Sequence, residues 1–562
     1  VPKIDSWRLS RRQTLGWLAG LGIASTPLAR ALAVEAERAP IDAEAIARAE
    51  WISGITLEPP QRERLSRSIE RMQQSLLQIR AVKIDADVPP ALGFATHQAA
   101  PGDSPEGADA NARGKSVVQP RRVKSEDYPA EPVDIAFAPI AVLGAMLRAG
   151  KITSIELTEL FLERLKAHGP TLNCVVTLTE ALAMRQARQA DRELADGRDR
   201  GPLHGIPWGA KDLIAVAGYK TTWGAQAYQD QVREQTATVA ERLAAAGAVL
   251  VAKLSLGAIA MGDEWFGGKT WNPWDLDEGS SGSSAGSAAA TTAGLVPFAL
   301  GSETLGSIVS PARRCGTTGL RPTFGRVSRA GCMPLAWSFD KLGPLCRSVE
   351  DCALVLAAID GPDGRDPTVL ARPFSWPLTS DIRALKVGYQ EDAAERPELR
   401  VLRSLGVQLV PIRLPNELPM NALTMMLDVE SASMFYEQWR DGTEEGLFRW
   451  PRIWQTAAFV PAIDYVRAAR VRTMLMQAME RVMQQVDLYV GGDDLVLTNL
   501  TGHPTVVLPY RPEAKDSRSG QPQSLTFTGC LYEETKLLAV AEAFQTATGD
   551  HLVRPPLFAA AP

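Results

Sequence analysis

Between Glu241 and Leu254 the sequence reads ERLAAAGAVLVAKL, a helical stretch stopped at Gly247 and followed at once by an unbroken apolar run. A run this short, bounded by a glycine, reads as a strand buried on both faces. A helix feeding directly into such a strand constrains the chain to layered α/β packing. Other helical signals agree. Thr153-Ser-Ile-Glu156 has the form of a capping box, in which the two end residues satisfy each other's free backbone N–H groups. It opens a helix whose Leu157, Leu160, Phe161 and Leu165 share one face, with an expected end at Gly169-Pro170. Upstream, Leu65, Ile69, Met72, Leu76 and Ile79 recur at helical spacing behind Pro59-Pro60, giving one apolar stripe on a longer helix.

With 562 residues the chain can hold two or three domains, or one large domain with extensions. Its first residues include SRRQTLGWLAGLGIASTPLARALA: the pair Arg11–Arg12, an apolar stretch from Leu15 to Leu28, and Ala31-Leu32-Ala33 in an A-x-A cleavage pattern. This resembles a twin-arginine export signal, with Thr14 where phenylalanine is commonest. The apolar run is too short, and too broken by glycines and Pro27, to span a membrane. The expected layout is a signal peptide over 1–33, a helical extension over 34–94, a low-complexity linker over 95–133 and a catalytic domain over 134–562. The linker rests on AAPGDSPEGADANARGKSVVQP and KSEDYPAEP, which carry too little apolar surface to fold alone. The signal implies passage through the twin-arginine machinery and a periplasmic or secreted enzyme.

A net charge of −5 lacks the basic footprint of a nucleic-acid binder. The five histidines (His97, His168, His204, His503, His551) are scattered and the six cysteines form no CxxC pair, so no metal motif is present. The cysteines read as reduced core residues. Chemistry concentrates in GSSGSSAGSAAATTAGLVPFALGSETLGSIVSP, from Gly279 to Pro311. Gly282-Ser283-Ser284-Ala285-Gly286 fits the G-x-S-x-G elbow, which would make Ser284 a nucleophile served by His503 or His551. The same residues also suit a turn in which small side chains let backbones approach. Ser338-Phe-Asp-Lys341 matches S-x-x-K, but its S-D-N and K-T-G companions are absent and it is set aside. A second turn, Gly301-Ser-Glu-Thr-Leu-Gly-Ser307, could gather backbone N–H groups into an oxyanion hole. A serine there needs a base. Lys211, in GIPWGAKDLIAVAG, and Lys253, in VLVAKL, are both lysines in apolar surroundings, where burial favours the neutral amine. Either could equally lay its stem on apolar surface and its head in water.

The stretch resembles the amidase signature family. GPLHGIPWGAKDLIAVAG is similar to that family's lysine segment, GSSAGSAAATTAGLVPFALGSETLGSI to its signature, CGTTGLRPTFGRVSRAGCMPLAWSFDKLGPLCRSVEDCALVL to the block after it, and NLTGHPTVVLP to its carboxy-terminal segment. The resemblance runs in order from about Asp134 to Leu552 and omits the signal and the segment from Val34 to about Pro132. It implies an amidase signature fold, α/β with a mixed central sheet covered by helices on both faces. It further implies Lys211 as base, Ser283 as proton bridge following a cis peptide bond, and Ser307 as nucleophile. Oxyanion donors would be the N–H groups of Thr304, Leu305, Gly306 and Ser307. Neither a cofactor nor a metal is implied. Leu305 departs from the family's usual G-G-S-I, and Val309 stands where an arginine commonly follows; the catalytic positions are untouched.

The resemblance implies a hydrolase cleaving a carboxylic amide to acid and ammonia or amine, with a small-molecule amide as partner and a homodimer allowed. Two rivals stand beside it: one of the glutaminase-type subunits of an amidotransferase, and a serine esterase built on Ser284. Leu305 and Val309 make the surroundings of Ser307 more apolar, so neutral aryl or aliphatic amides are expected over glutamine. Met425, Met426, Phe435, Tyr436, Trp439, Trp450 and Trp454 either line an apolar acyl pocket or fill the core, the commoner use of such residues.

Overall fold

The computed structural model describes residues 41–85, 87–91, 117–391, 396–442, 444–492, 494–511 and 520–559. Arg11–Arg12 and Ala31-Leu32-Ala33 lie outside these residues, as does most of the low-complexity stretch. The chain divides into two compact units, Val1–Gln74 and Ser75–Pro562. In the first, helix α1 (Ala43–Ser53) is capped by Asp42, whose carboxylate accepts the Ala45 N–H at 2.8 Å. Gly54 closes that helix in the left-handed region, and Arg62 grips Glu50 through two bonds of 2.5 and 3.0 Å. Helix α2 covers Pro59–Ala81. Leu65, Ile69, Leu76 and Ile79 of its apolar stripe are buried, and Met72 is half-buried.

The second unit is built on an eleven-stranded mixed sheet. Numbering only its strands, these are β1 (Val175–Leu178), β2 (Pro207–Lys211), β3 (Val249–Leu254), β4 (Phe298–Glu303), β5 (Thr318–Arg321) and β6 (Lys341–Cys346). They continue as β7 (Lys386–Gln390), β8 (Gln408–Ile412), β9 (Leu488–Val490), β10 (Thr505–Tyr510) and β11 (Gln523–Gly529). The spatial order is β8-β7-β9-β11-β10-β5-β6-β4-β2-β3-β1. Pairing is parallel within β3-β2-β4 and β8-β7-β9 and antiparallel elsewhere. Every residue of β2, β3 and β6 is buried, as their apolar runs require. Helices α3 (Ser154–Leu172), α4 (Ala285–Thr292), α5 (Val309–Cys315) and α6 (Val349–Ile359) pack on the sheet, as does α8 (Glu534–Thr548), while α7 (Ala462–Met483) packs on other helices.

The stretch from Glu241 to Leu254 folds as the end of a helix over Thr238–Ala245 and then β3. Between them Gly247 takes φ +81°, and a Cβ there would lie 2.3 Å from the His204 ring. Thr153 and Glu156 form the capping box of α3. That helix does not end at Gly169-Pro170. It continues to Leu172 and closes on Asn173 in the left-handed conformation. Proline removes only its own N–H, and the carbonyl that would have received it belongs to Lys166, an exposed residue, so the helix forgoes one bond without ending. Leu157, Phe161 and Leu165 are buried and Leu160 is half-exposed, while Arg164 is buried and donates to the carbonyls of Ala293, Gly294 and Phe558.

From Val117 the chain is tied down: Val117–Val118 pairs with Ser375–Trp376, and the Arg121 N–H donates to Glu350 at 2.6 Å. All six cysteines are free thiols. Phe435 and Trp450 each stack on Trp454, at 5.1 and 5.5 Å. Met425, Met426 and Trp439 are buried too, so these residues build core; Tyr436 is exposed.

Gly343 on β6 faces Gly301 on β4 in register. A Cβ on Gly343 would lie 2.0 Å from the Leu320 carbonyl oxygen, a backbone atom that cannot move aside without breaking β5-β6 pairing. Gly343→Ala is therefore expected to lower the thermal midpoint of the protein by several degrees, measured by calorimetry.

Candidate active site

Lys211 ends β2 and is fully buried. Its Nζ lies 2.8 Å from Ser283 Oγ, 3.0 Å from Ser284 Oγ and 2.9 Å from Ser302 Oγ, with the Ser302 carbonyl at 3.3 Å. No carboxylate among the described residues reaches it within salt-bridge distance. Burial therefore pulls its pKa down to about 7, against the upward pull of Asp340 and Glu303. A neutral amine has one lone pair and two N–H groups, and a cage of hydroxyls satisfies both kinds of group.

Lys253 is equally buried but differently placed. Its Nζ pairs with Asp212 Oδ1 at 2.6 Å and also donates to the Lys220 carbonyl and Thr221 Oγ1. The two lysines thus differ in their partners: one faces hydroxyls, the other a carboxylate.

The serines come from two chain segments brought together by β4. The Gly282–Ser283 peptide bond is cis. Ser284 sits at the start of α4, with its hydroxyl 3.1 Å from the Ser302 carbonyl and 3.2 Å from the Ser302 N–H. That hydroxyl is occupied by strand β4 and Lys211. Neither His503 nor His551 bonds to it. His503 Nδ1 lies 2.8 Å from Thr501 Oγ1, and burial lowers its pKa to about 3. Burial lowers that of His551 to about 4. Nor does Ser338 meet Lys341 as a pair: Lys341 Nζ donates to the Phe339 carbonyl, and Ser338 to Glu430.

Ser307 follows β4 on the tight turn Thr304–Ser307, and its carbonyl accepts the Ser284 N–H at 3.1 Å, joining this turn to the serine loop. Gly306 takes φ +90°, and a Cβ there would meet Leu495 at 2.8 Å. The N–H groups of Thr304, Leu305, Gly306 and Ser307 meet no acceptor among the described residues, while the next two are taken. The N–H groups of Ile308 and Val309 donate to Glu303 Oε2 at 2.8 and 2.9 Å. Glu303 Oε1 accepts from Arg321 at 2.7 Å and Asn499 at 2.8 Å. Burial alone would raise this carboxyl's pKa, but Arg321, Lys341 and the hydrogen bonds overcome it and hold it at about 2. On the other side of the turn, Thr304 Oγ1 donates to Asp340 at 2.6 Å, and Asp340 also receives the N–H groups of Leu335 and Ala336.

Glu303, Arg321, Asp340 and Ser302 were not singled out in the sequence. A signal existed for one of them: an arginine closing the apolar strand GLR demands a buried partner. Beside the turn lies a cleft of about 410 Å³, bordered by Ser302, Thr304, Asp340, Met333, Trp337 and Thr368 among others. Of its two arginines, Arg329 grips Asp366 through bonds of 2.8 and 3.1 Å and Arg365 pairs with Glu241. Among the described residues no group of three or more His, Cys, Asp or Glu is arranged to hold a metal ion.

The arrangement matches known proteins. The pattern that defines the family described as Amidase matches residues 156–492. A protein of Chloroflexus aurantiacus, one of the subunits of its glutamyl-tRNA(Gln) amidotransferase, is 36% identical over 479 residues, covering 74% of this chain and 97% of that protein. The crystal structure of the native peptide amidase of Stenotrophomonas maltophilia superposes with a TM-score of 0.66 at 30% identity, covering 76% of this chain and 100% of that one. A bacterial aryl acylamidase shares the fold at TM-score 0.67 and 22% identity, covering 76% of this chain and 100% of that one. The mixed sheet, the helices around it and these likenesses together place the chain: it belongs to the amidase signature family of amide-hydrolysing enzymes.

Proposed function

We propose that this enzyme hydrolyses neutral carboxylic amides through an acyl-serine intermediate on Ser307, with Ser283 relaying the proton and Lys211 as base. The observation that carries the reading is the 2.8 Å contact between Ser283 Oγ and a buried Lys211 that has hydroxyls and no carboxylate against its amine. Ser307 Oγ attacks the amide carbon as its proton passes to Ser283 Oγ, whose own proton moves to the Lys211 lone pair. Charge then develops on the carbonyl oxygen, which the free N–H groups of Thr304–Ser307 receive. When the C–N bond breaks, the proton returns through Ser283 to the leaving nitrogen. Water follows the same route in reverse and releases the acid.

Both arginines of the neighbouring cleft are already paired with carboxylates, which supports a neutral acyl group, because an unpaired carboxylate there would lose its hydration. One observation favours a second reading. Relatives 36% identical are named as subunits of a glutamyl-tRNA(Gln) amidotransferase, which supports glutamine as substrate and a partner protein in a larger complex. Against it stands the twin-arginine pattern at Arg11–Arg12, which supports export and an enzyme that works alone. Side-by-side kinetics of benzamide, hexanamide and glutamine separate the readings: higher kcat/KM for the first two is expected, and preference for glutamine would reject the neutral-amide reading.

Lys211→Ala is expected to lower kcat by about 10²–10⁴ with the fold retained, since that is the typical contribution of a general base. Below about pH 7 Lys211 carries its proton and cannot accept another; above it the amine is neutral. The acidic limb of kcat/KM should therefore rise with pH and level off above about 7, and this limb should be lost in Lys211→Ala. Lys253→Met leaves Asp212 buried without its partner, so it should show as lost stability in a denaturant melt rather than as a changed pH profile.

A serine-directed fluorophosphonate should label the peptide containing Ser307, with labelling lost in Ser307→Ala; labelling that follows Ser284 instead would reverse the assignment. Glu303→Gln keeps the shape of the carboxylate but leaves Arg321 without its counter-charge. It should lower kcat by about 10²-fold, the scale of losing one oxyanion donor, while KM for a neutral amide changes little.

A further inference from the structure

Trp337 is an anomaly in a well-packed molecule: a large indole left 46% exposed on a loop that is otherwise held rigidly. On its N-terminal side, Asp340 fixes the backbone of Leu335 and Ala336 at 2.7 and 3.0 Å. The Trp337 carbonyl accepts from Arg329 at 2.6 Å. On its C-terminal side, Glu430 takes the N–H of Ser338 at 2.9 Å and its hydroxyl at 2.5 Å. Arg472 donates to the same hydroxyl and to the Ser338 carbonyl, at 2.9 and 2.8 Å. Buried and half-buried charges thus immobilise a loop whose outermost side chain faces open space.

That indole borders two cavities. One is the cleft of about 410 Å³ that reaches Ser302 and Thr304 beside the nucleophile turn. The other, of about 350 Å³, lies beyond Trp337 and Thr368 and is walled by Ser338, Val429, Glu430, Ser433 and Tyr465. The first alone lies in the size range of small-ligand sites, so a benzamide-sized substrate leaves the second empty. The polar groups walling the second cavity are hydroxyls and one carboxylate, with no cation among them. Glu430 Oε1 already accepts from Ser338 and from Tyr465, at 3.0 Å, while Oε2 accepts only the Ser338 N–H among the described bonds. The wall therefore retains acceptor capacity and suits N–H donors, and it disfavours a second carboxylate.

Resting on the amidase reading, we infer that Trp337 and the Glu430–Ser433–Tyr465 cavity form a distal subsite for extended primary amides. The acyl portion of such a substrate would lay an aromatic or apolar group against Trp337 and carry neutral N–H donors beyond it. A rigid, pre-positioned indole contributes stacking without an ordering cost on binding.

The test is a length series on the full enzyme: N-acetyl-phenylalanine amide, N-acetyl-Ala-Ala-Phe amide, and the latter with a succinyl carboxylate in place of acetyl. The tripeptide amide should exceed the short amide about tenfold in kcat/KM, mostly through KM, as expected for a stacking contact with added hydrogen bonds. The succinyl compound should lose that gain. Trp337→Ala and Ser433→Trp, the second filling the cavity from an exposed position, should each reduce the ratio of long to short amide towards one. A flat series in the wild type, or a length gain that survives both variants, overturns the subsite. The short amide reports on the amidase reading by itself, so a flat series with good short-amide turnover is distinguishable from failure of that reading; no turnover of any amide overturns both.

Discussion

Everything at this site depends on one amine kept out of water without a carboxylate against it. A lysine in bulk solution is a poor base because its proton is held too tightly. Taking Lys211 into the sheet removes the hydration that stabilises the ammonium, and surrounding it with Ser283, Ser284 and Ser302 supplies partners that serve the neutral form as well as the charged one. A carboxylate in the same position would restore the charge. The neighbouring Lys253 illustrates that alternative within the same sheet, where Asp212 at 2.6 Å turns a buried lysine into a structural ion pair.

The donors proposed to receive the oxyanion are set apart by subtraction. Six consecutive N–H groups follow Glu303, and its carboxylate takes the last two. The four before them stay unclaimed within the described chain. A carboxylate this close to the proposed oxyanion site would oppose the proposed reaction were it not paired, and Arg321 pairs with it from β5, across the intervening strand β6. Gly306 lets the turn pass close to Leu495, and Thr304 is held by Asp340, so both ends of the turn are fixed by buried or half-buried groups.

The α/β class, the Gly247 stop and the α3 capping box were legible in the sequence because each rests on local chemistry, and Lys211, Ser283 and Ser307 could be named as candidates because the family resemblance fixes their spacing. The choice between Lys211 and Lys253 was not legible from the residues alone. Both occupy apolar strands, and Asp212 adjoins Lys211 in the chain while reaching across to Lys253 in space. Pro170 misled for a comparable reason: whether a proline ends a helix depends on the carbonyl it leaves unpaired, and Lys166 happens to be exposed. Glu303 and Asp340 escaped notice because a carboxylate in a turn reads as solvated until its partners are known. Those partners, Arg321, Asn499 and the backbone of Leu335 and Ala336, lie between a few and nearly two hundred residues away.

The Glu303–Arg321 pair also bears on where the working unit of this protein stops. Arg321 reaches the His503 carbonyl and Thr505 Oγ1, and Glu303 reaches Asn499, so the brace on the proposed oxyanion turn ends in the stretch from Asn499 to Thr505 that leads into β10. The family pattern ends at residue 492, before any of these anchors. A catalytic fragment cut to the limits of detectable similarity would retain the lysine and both serines yet lose the ground on which their turn stands. Kinship and mechanical integrity draw different borders on this chain, and the electrostatic border lies further along it.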